Sequence, residues 1–203
     1  MKLSFLRPSL LLALAVALTA CGGKATFDVQ GTITGLVYSG LVITNRANSD
    51  TVTVPAGATT FKLSKSIEYG TEYDVAVTTT ALHQDCSIGN GVNPGNGKDT
   101  AGRLASINII VTCRLNAFSI GGAVSGLSAD GLVLVNGSGD QVAVAKAATA
   151  FNFPTAVAFD STFGITVLKQ PTGLTCSVAN GVGKMGDAAV TNVNVSCVAN
   201  LGG

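Results

Sequence analysis

The sequence predicts an all-β protein: two tandem antiparallel β-sandwiches behind a removable export segment. Three observations carry that expectation. Apolar side chains alternate with period two over most of the chain, residues 27–113 recur as 118–198, and 47% hydrophobic residues stand against only 11% charged ones. Residues two apart face the same side of a strand, so each alternating run presents one apolar face to a core. A disordered chain would carry more charge and less apolar material. No segment after residue 20 sustains the 3.6-residue period of a helix.

The export segment comes first. Lys2 and Arg7 precede nine apolar residues, Leu10 to Leu18. As a helix these rise ~14 Å, against ~30 Å for a bilayer core, so the run is a leader and not a span. The exit, Leu18-Thr19-Ala20-Cys21-Gly22, resembles the lipobox of bacterial lipoproteins. That resemblance implies a signal peptide over residues 1–20, cleavage before Cys21, and a diacylglycerol on the Cys21 sulfur. Residues 21–26 are then the lipid anchor and tether. With two or more acyl chains such an anchor is stable. Gly22 stands where an inner-membrane retention signal would usually place Asp, which by the same resemblance implies the outer membrane. Without Lys2 and Arg7, ten basic residues face eleven acidic ones, so a polybasic nucleic-acid binder is excluded.

The first repeat, residues 27–113, opens with Phe27-Asp-Val-Gln-Gly-Thr-Ile-Thr-Gly-Leu36, which recurs as Phe118-Ser-Ile-Gly-Gly-Ala-Val-Ser-Gly-Leu127 at an offset of 91. Alternating runs follow at Val29/Gly31/Ile33, Val52/Val54, Phe61/Leu63, Tyr73/Val75/Val77 and Ile107/Ile109/Val111. After Gly131-Leu132-Val133 the offset becomes 90, matching Val142/Val144, Phe151, Phe163 and Cys176 to Val52/Val54, Phe61, Tyr73 and Cys86. The second cysteines, Cys113 and Cys197, differ by 84, so the first copy holds six extra residues within Gly89 to Gly102, a Gly- and Asn-rich hairpin tip. Turn formers such as Asn136-Gly137, Asn90-Gly91, Asn96-Gly97 and Asn180-Gly181 separate the runs. About seven short strands per copy are expected, with residues 114–117 as a short linker and 199–203 as a tail. A connection that short makes the two units a semi-rigid pair, the second distal to the membrane.

Of five cysteines, four remain for an oxidising compartment. Four allow three pairings; the duplication selects Cys86 with Cys113 and Cys176 with Cys197, one pair per copy. One His and no close CxxC pair leave nothing for zinc.

The order G-x-(V/I)-(S/T)-G-L, G-L-V, V-x-V, F-x-F and (Y/F)-x-(V/I)-x-V resembles the Ig-like or prealbumin-like repeats of bacterial surface proteins, including Cna-B and carboxypeptidase-regulatory-like modules. C-S-V-A-N-G-V-G and V-T-N-V-N-V-S-C are similar to a Cys-bounded version found in bacterial lipoproteins. The resemblance implies stalk, spacer or adhesive units. Some Cna-B modules form Lys-Asn isopeptide bonds helped by a buried Glu; the second copy has no Glu.

Residues able to carry chemistry are few. His83 and Asp85 lie two apart but lack the rest of a triad, and His83 reads as a surface residue near a strand end. Gly97-Lys98 lacks the spacing of a phosphate loop. Asp50 and Asp140 recur without a second nearby acid, which fits turn caps better than calcium ligands. Tyr69 and Tyr73 match Phe159 and Phe163, so their rings are expected in the core; Tyr38 has no aromatic counterpart. No catalytic residue, metal or cofactor is expected. The sequence thus predicts a non-enzymatic, lipid-anchored protein of the bacterial cell envelope acting as an adhesion or spacer module. Its partners would be the membrane through the lipid, and a protein or surface polymer. The alternative is a periplasmic carrier of a small ligand or an envelope assembly accessory protein.

Overall fold

The computed structural model describes residues 24–89, 97–137 and 139–200. The export segment, Cys21, residues 90–96 of the Gly-rich tip and the last three residues lie outside the described residues. Every regular element described is a strand. The first repeat holds β1 (Thr26–Phe27), β2 (Val29–Thr34), β3 (Leu41–Asn45), β4 (Asp50–Val54), β5 (Thr60–Lys62), β6 (Ile67–Glu68), β7 (Glu72–Thr79), β8 (Gln84–Ile88), β9 (Lys98–Thr100) and β10 (Ile107–Leu115). The second holds β11 (Ala117–Phe118), β12 (Gly121–Ser125), β13 (Leu132–Asn136), β14 (Asp140–Val144), β15 (Ala150–Asn152), β16 (Val157–Ala158), β17 (Thr162–Lys169), β18 (Leu174–Ala179), β19 (Val182–Lys184) and β20 (Asn194–Ala199).

In each repeat two four-stranded sheets face each other, in the orders β5-β2-β10-β8 and β4-β3-β7-β9, then β15-β12-β20-β18 and β14-β13-β17-β19. The alternation dictates this. Along β2 every second residue is buried (Val29, Gly31, Ile33), and along β10 so are Ile107, Ile109, Val111 and Cys113. Each repeat closes its own core, the first around Leu41, Ile43 and Val111, the second around Ile120, Leu134 and Val193. At ~25 cal/mol per Å² of apolar area, burial of such side chains is the main stabilising term.

The sheets are not purely antiparallel. β2 runs parallel to β10, and β12 to β20, because the first and last long strands of each unit lie side by side at the sheet centre. The repeated glycines permit this approach: a Cβ on Gly31 would stand 2.0 Å from the Ile109 carbonyl oxygen, and one on Gly122 1.6 Å from that of Val193. Among the described residues each unit has ten strands, and the excess over seven comes from short elements such as β1, β6 and β9, which pair as β1 with β6 and β7 with β9.

The Cys86–Cys113 and Cys176–Cys197 bonds each join directly opposed residues of neighbouring antiparallel strands, β8 with β10 and β18 with β20. Each therefore fastens an edge strand to the centre of its own sheet. The connection expected over 114–117 is shorter than that: Arg114 and Leu115 belong to β10, Ala117 to β11, and Asn116 alone lies outside a strand.

Candidate functional site

Of the residues singled out in the sequence, His83 and Tyr38 come together where the two sandwiches meet. Asn116 links the sandwiches: its amide donates to the His83 carbonyl (2.9 Å), and its carbonyl accepts from the Phe159 amide (2.7 Å). That single residue is hydrogen-bonded to both units. Around it the His83 ring stacks on Phe159, with centroids 3.8 Å apart and planes 3° from parallel. Tyr38 meets both edge-on, at 5.2 and 5.7 Å. The His83 Nδ1 lies 2.7 Å from the Asp187 carboxylate. Ring pairs of this kind are worth ~0.5–1.5 kcal/mol each beyond area burial. Lys184 pairs with Asp160 at 2.6 Å, which holds its ammonium above the ordinary lysine range, and Tyr38 adds to the effect across the junction.

Local structure positions each group. His83 closes the β7–β8 turn at φ 57°, a left-handed conformation in which its counterpart Gly173 (φ 72°) is at ease. A non-glycine there costs ~1 kcal/mol, so the imidazole occupies a backbone better suited to glycine. Tyr38 is held by Gln84, which is 1% exposed. The Gln84 Oε1 accepts from the amides of Val37 and Tyr38, and its Nε2 donates to the Gly35 carbonyl. The second repeat has Leu174 in that place.

His83 is thus not the free surface histidine expected. Its side chain is 29% exposed, covered by the second repeat. Nor does it pair with Asp85, which stands opposite Arg114 in the β8–β10 ladder. Tyr73 and Phe163 do enter the cores, but Tyr69 is exposed and Phe159 serves the junction. Asp50 reaches beyond its own turn to accept from the Ser64 hydroxyl (2.6 Å) and the Lys65 amide (2.7 Å). Among the described residues the Asp140 carboxylate accepts from the Thr155 hydroxyl alone, at 3.2 Å. Gly97 and Lys98 lie along β7: Gly97 accepts from the Val75 amide, and Lys98 opens β9 opposite Asp74. Among the described residues no group of three His, Cys, Asp or Glu is placed to hold a metal ion. Gln84 and Asp187 are not singled out by the sequence, and Phe159, grouped there with core rings, stacks on His83 instead. For Gln84 the available signal was a polar residue in register with an apolar one, Leu174.

No family model matches the chain, and no curated protein does. Solved structures do. Shaft pilin SpaA from Lactobacillus rhamnosus GG is 13% identical with a TM-score of 0.30, covering 88% of this chain and 100% of that one. The C-terminal fragment of pilus adhesin SpaC from the same organism is 8% identical at 0.39, covering 88% and 100%. The major pilin protein T-13 from Streptococcus pyogenes is 10% identical at 0.31, covering 88% and 98%.

Proposed function

We propose that this chain is a non-catalytic, lipid-anchored envelope protein in which the first sandwich is a spacer and the second the presenting unit, held in fixed mutual orientation. The observation that carries this reading is the junction. A one-residue connection hydrogen-bonded to both units, with His83 stacked between Tyr38 and Phe159 and tied to Asp187, removes the freedom that a linker of several residues would leave. The carrier alternative finds less support. The described grooves are open clefts, for example one of ≈ 450 Å³ between β7 and β8, while the space between sheets is filled by side chains such as Leu41, Ile43 and Leu134.

Three measurements test the reading. Mass spectrometry of the amino-terminal peptide from cell-extracted protein is expected to find residue 21 acylated, and Cys21→Ala is expected to release the chain from the membrane fraction. An unmodified amino terminus overturns the anchor. Residual dipolar couplings of the two sandwiches are expected to fit one alignment tensor. Two tensors of different magnitude overturn the rigid spacer.

A further inference from the structure

We propose that Tyr69, Arg103 and Leu104, beside Lys24, form a face of the first sandwich that rests on the phospholipid headgroups of the membrane entered by the acylated Cys21. The inference rests on the lipid-anchor reading above and says what the anchored domain does there.

It begins from the quasi-equivalence of the two repeats. In the second, Asp160 and Ser161 exchange backbone hydrogen bonds with Met185, and the Phe159 amide donates to the Asn116 carbonyl. In the first, Gly70 and Thr71 exchange the same bonds with Ala101, and the Tyr69 amide donates to the Ala25 carbonyl. The two poles are therefore one surface in two copies, and residues map across it: Tyr69 onto Phe159, Arg103 onto Asp187, Leu104 onto Ala188. In the second repeat that surface is covered, because Phe159 and Asp187 take hold of His83. In the first no described ring or carboxylate from a second unit covers it. Tyr69 is 62% and Leu104 63% exposed, with the Tyr69 ring lying against Gly102.

Two features select the occupant. The first is reach. Three Cα–Cα steps separate Cys21 from Lys24, at most about 11 Å of chain, and Ala25 is hydrogen-bonded to Tyr69. An acyl chain on Cys21 therefore holds this pole, and not the distal one, at the headgroup layer. The second is charge. Where the second repeat offers Asp187 to an imidazole, the first offers Arg103, whose guanidinium suits a phosphate. Tyr with an aliphatic neighbour is the amphipathic pairing that sits at a membrane interface. The pairs Lys24–Glu68 (3.3 Å) and Arg103–Asp99 (3.2 Å) have highly exposed cationic partners and are weak enough to exchange for headgroup contacts. The pole has no net charge surplus, so affinity comes from the anchor and the face sets orientation. A second copy of this chain fits less well: its distal pole has Ala129 and Gly173 where Tyr38 and His83 stand in the first repeat. It would bring Asp130 towards Arg103 but no ring to Tyr69.

The test uses acylated full-length protein in nanodiscs of phosphatidylethanolamine and phosphatidylglycerol doped with a nitroxide-headgroup lipid. Paramagnetic broadening is expected at the amides of residues 69–71 and 101–104 and not at 128–131 or 171–173. In a Tyr69→Ser/Leu104→Ser/Arg103→Glu variant the broadening is expected to fall away while the protein stays in the disc and its melting temperature is unchanged. Broadening spread evenly over the molecule, or unmoved by the triple variant, overturns the docking face and leaves the anchor standing. A concentration-dependent dimer of the unacylated chain, dissolved by Arg103→Glu, overturns it in favour of a second copy. Absence of acylation by mass spectrometry removes the anchor itself, a separate outcome.

Discussion

His83 occupies a turn that favours glycine, and the energetic conflict makes its role separable from folding. Replacing it with glycine relieves a left-handed φ, so the first sandwich should keep its stability or gain up to ~1 kcal/mol. The same change deletes the stack on Phe159 and the bond to Asp187. His83→Gly is thus expected to leave chemical denaturation of the first unit unharmed while the two units lose their common alignment in dipolar couplings. Asp50 makes the opposite case, a charge kept for stability. Burial alone would raise its carboxyl, but the Ser64 hydroxyl, the Lys65 amide and the Lys65 charge outweigh it and hold the group below its ordinary 3.8. A folded value below the unfolded one stabilises above the unfolded pKa and is lost as pH falls through the folded value. Asp50→Asn is expected to cost ~1–3 kcal/mol at neutral pH, and its difference from the wild type to shrink below about pH 4. Guanidinium titrations across pH 2–7 would show both.

Among elements, the bridged pairs β8–β10 and β18–β20 show what each sulfur bond does. Sequence separations of 27 and 21 residues correspond to ~3 kcal/mol each in the chain-entropy model. Cys86→Ala/Cys113→Ala is expected to lower the first unit by about that amount, and hydrogen exchange should show β8 opening first, since it has one neighbour in its sheet. The strands themselves were legible because alternation survives any pairing scheme: Ile107, Ile109 and Val111 face inward whichever neighbour β10 has. The cysteine partners were legible because a duplicated unit repeats its contacts. The parallel pairing of β2 with β10 was not, since period-two patterning carries no direction. Two-residue strands such as β1 and β6 are too short to alternate. Tyr69 read as core because it matches a phenylalanine, yet that phenylalanine, Phe159, itself serves the junction, and the meeting of His83 with Asp187 there spans 104 residues that no local pattern relates.

For the molecule as a whole, coupling through Asn116 sets how the units respond together. Inserting a flexible Gly-Ser hexapeptide after Asn116 leaves both cores intact, yet should give the two units independent tumbling by NMR relaxation and a broader envelope in small-angle scattering. Unchanged relaxation would mean that the ring contacts alone fix the orientation.

The positions of the disulfides also matter under tension. Were the chain held by its amino-terminal end, as proposed above, a pull on the second unit would enter the first sandwich at Asn116, directly after β10, and so meet Cys113 two residues inside that strand. Even if the sheets part, the stretches closed by the two bonds, at sequence separations of 27 and 21, cannot pay out, which withholds roughly 90 Å and 70 Å of contour. Under oxidising conditions a chain pulled in this way would lengthen chiefly from the amino-terminal side of each unit; in reductant it would extend in full.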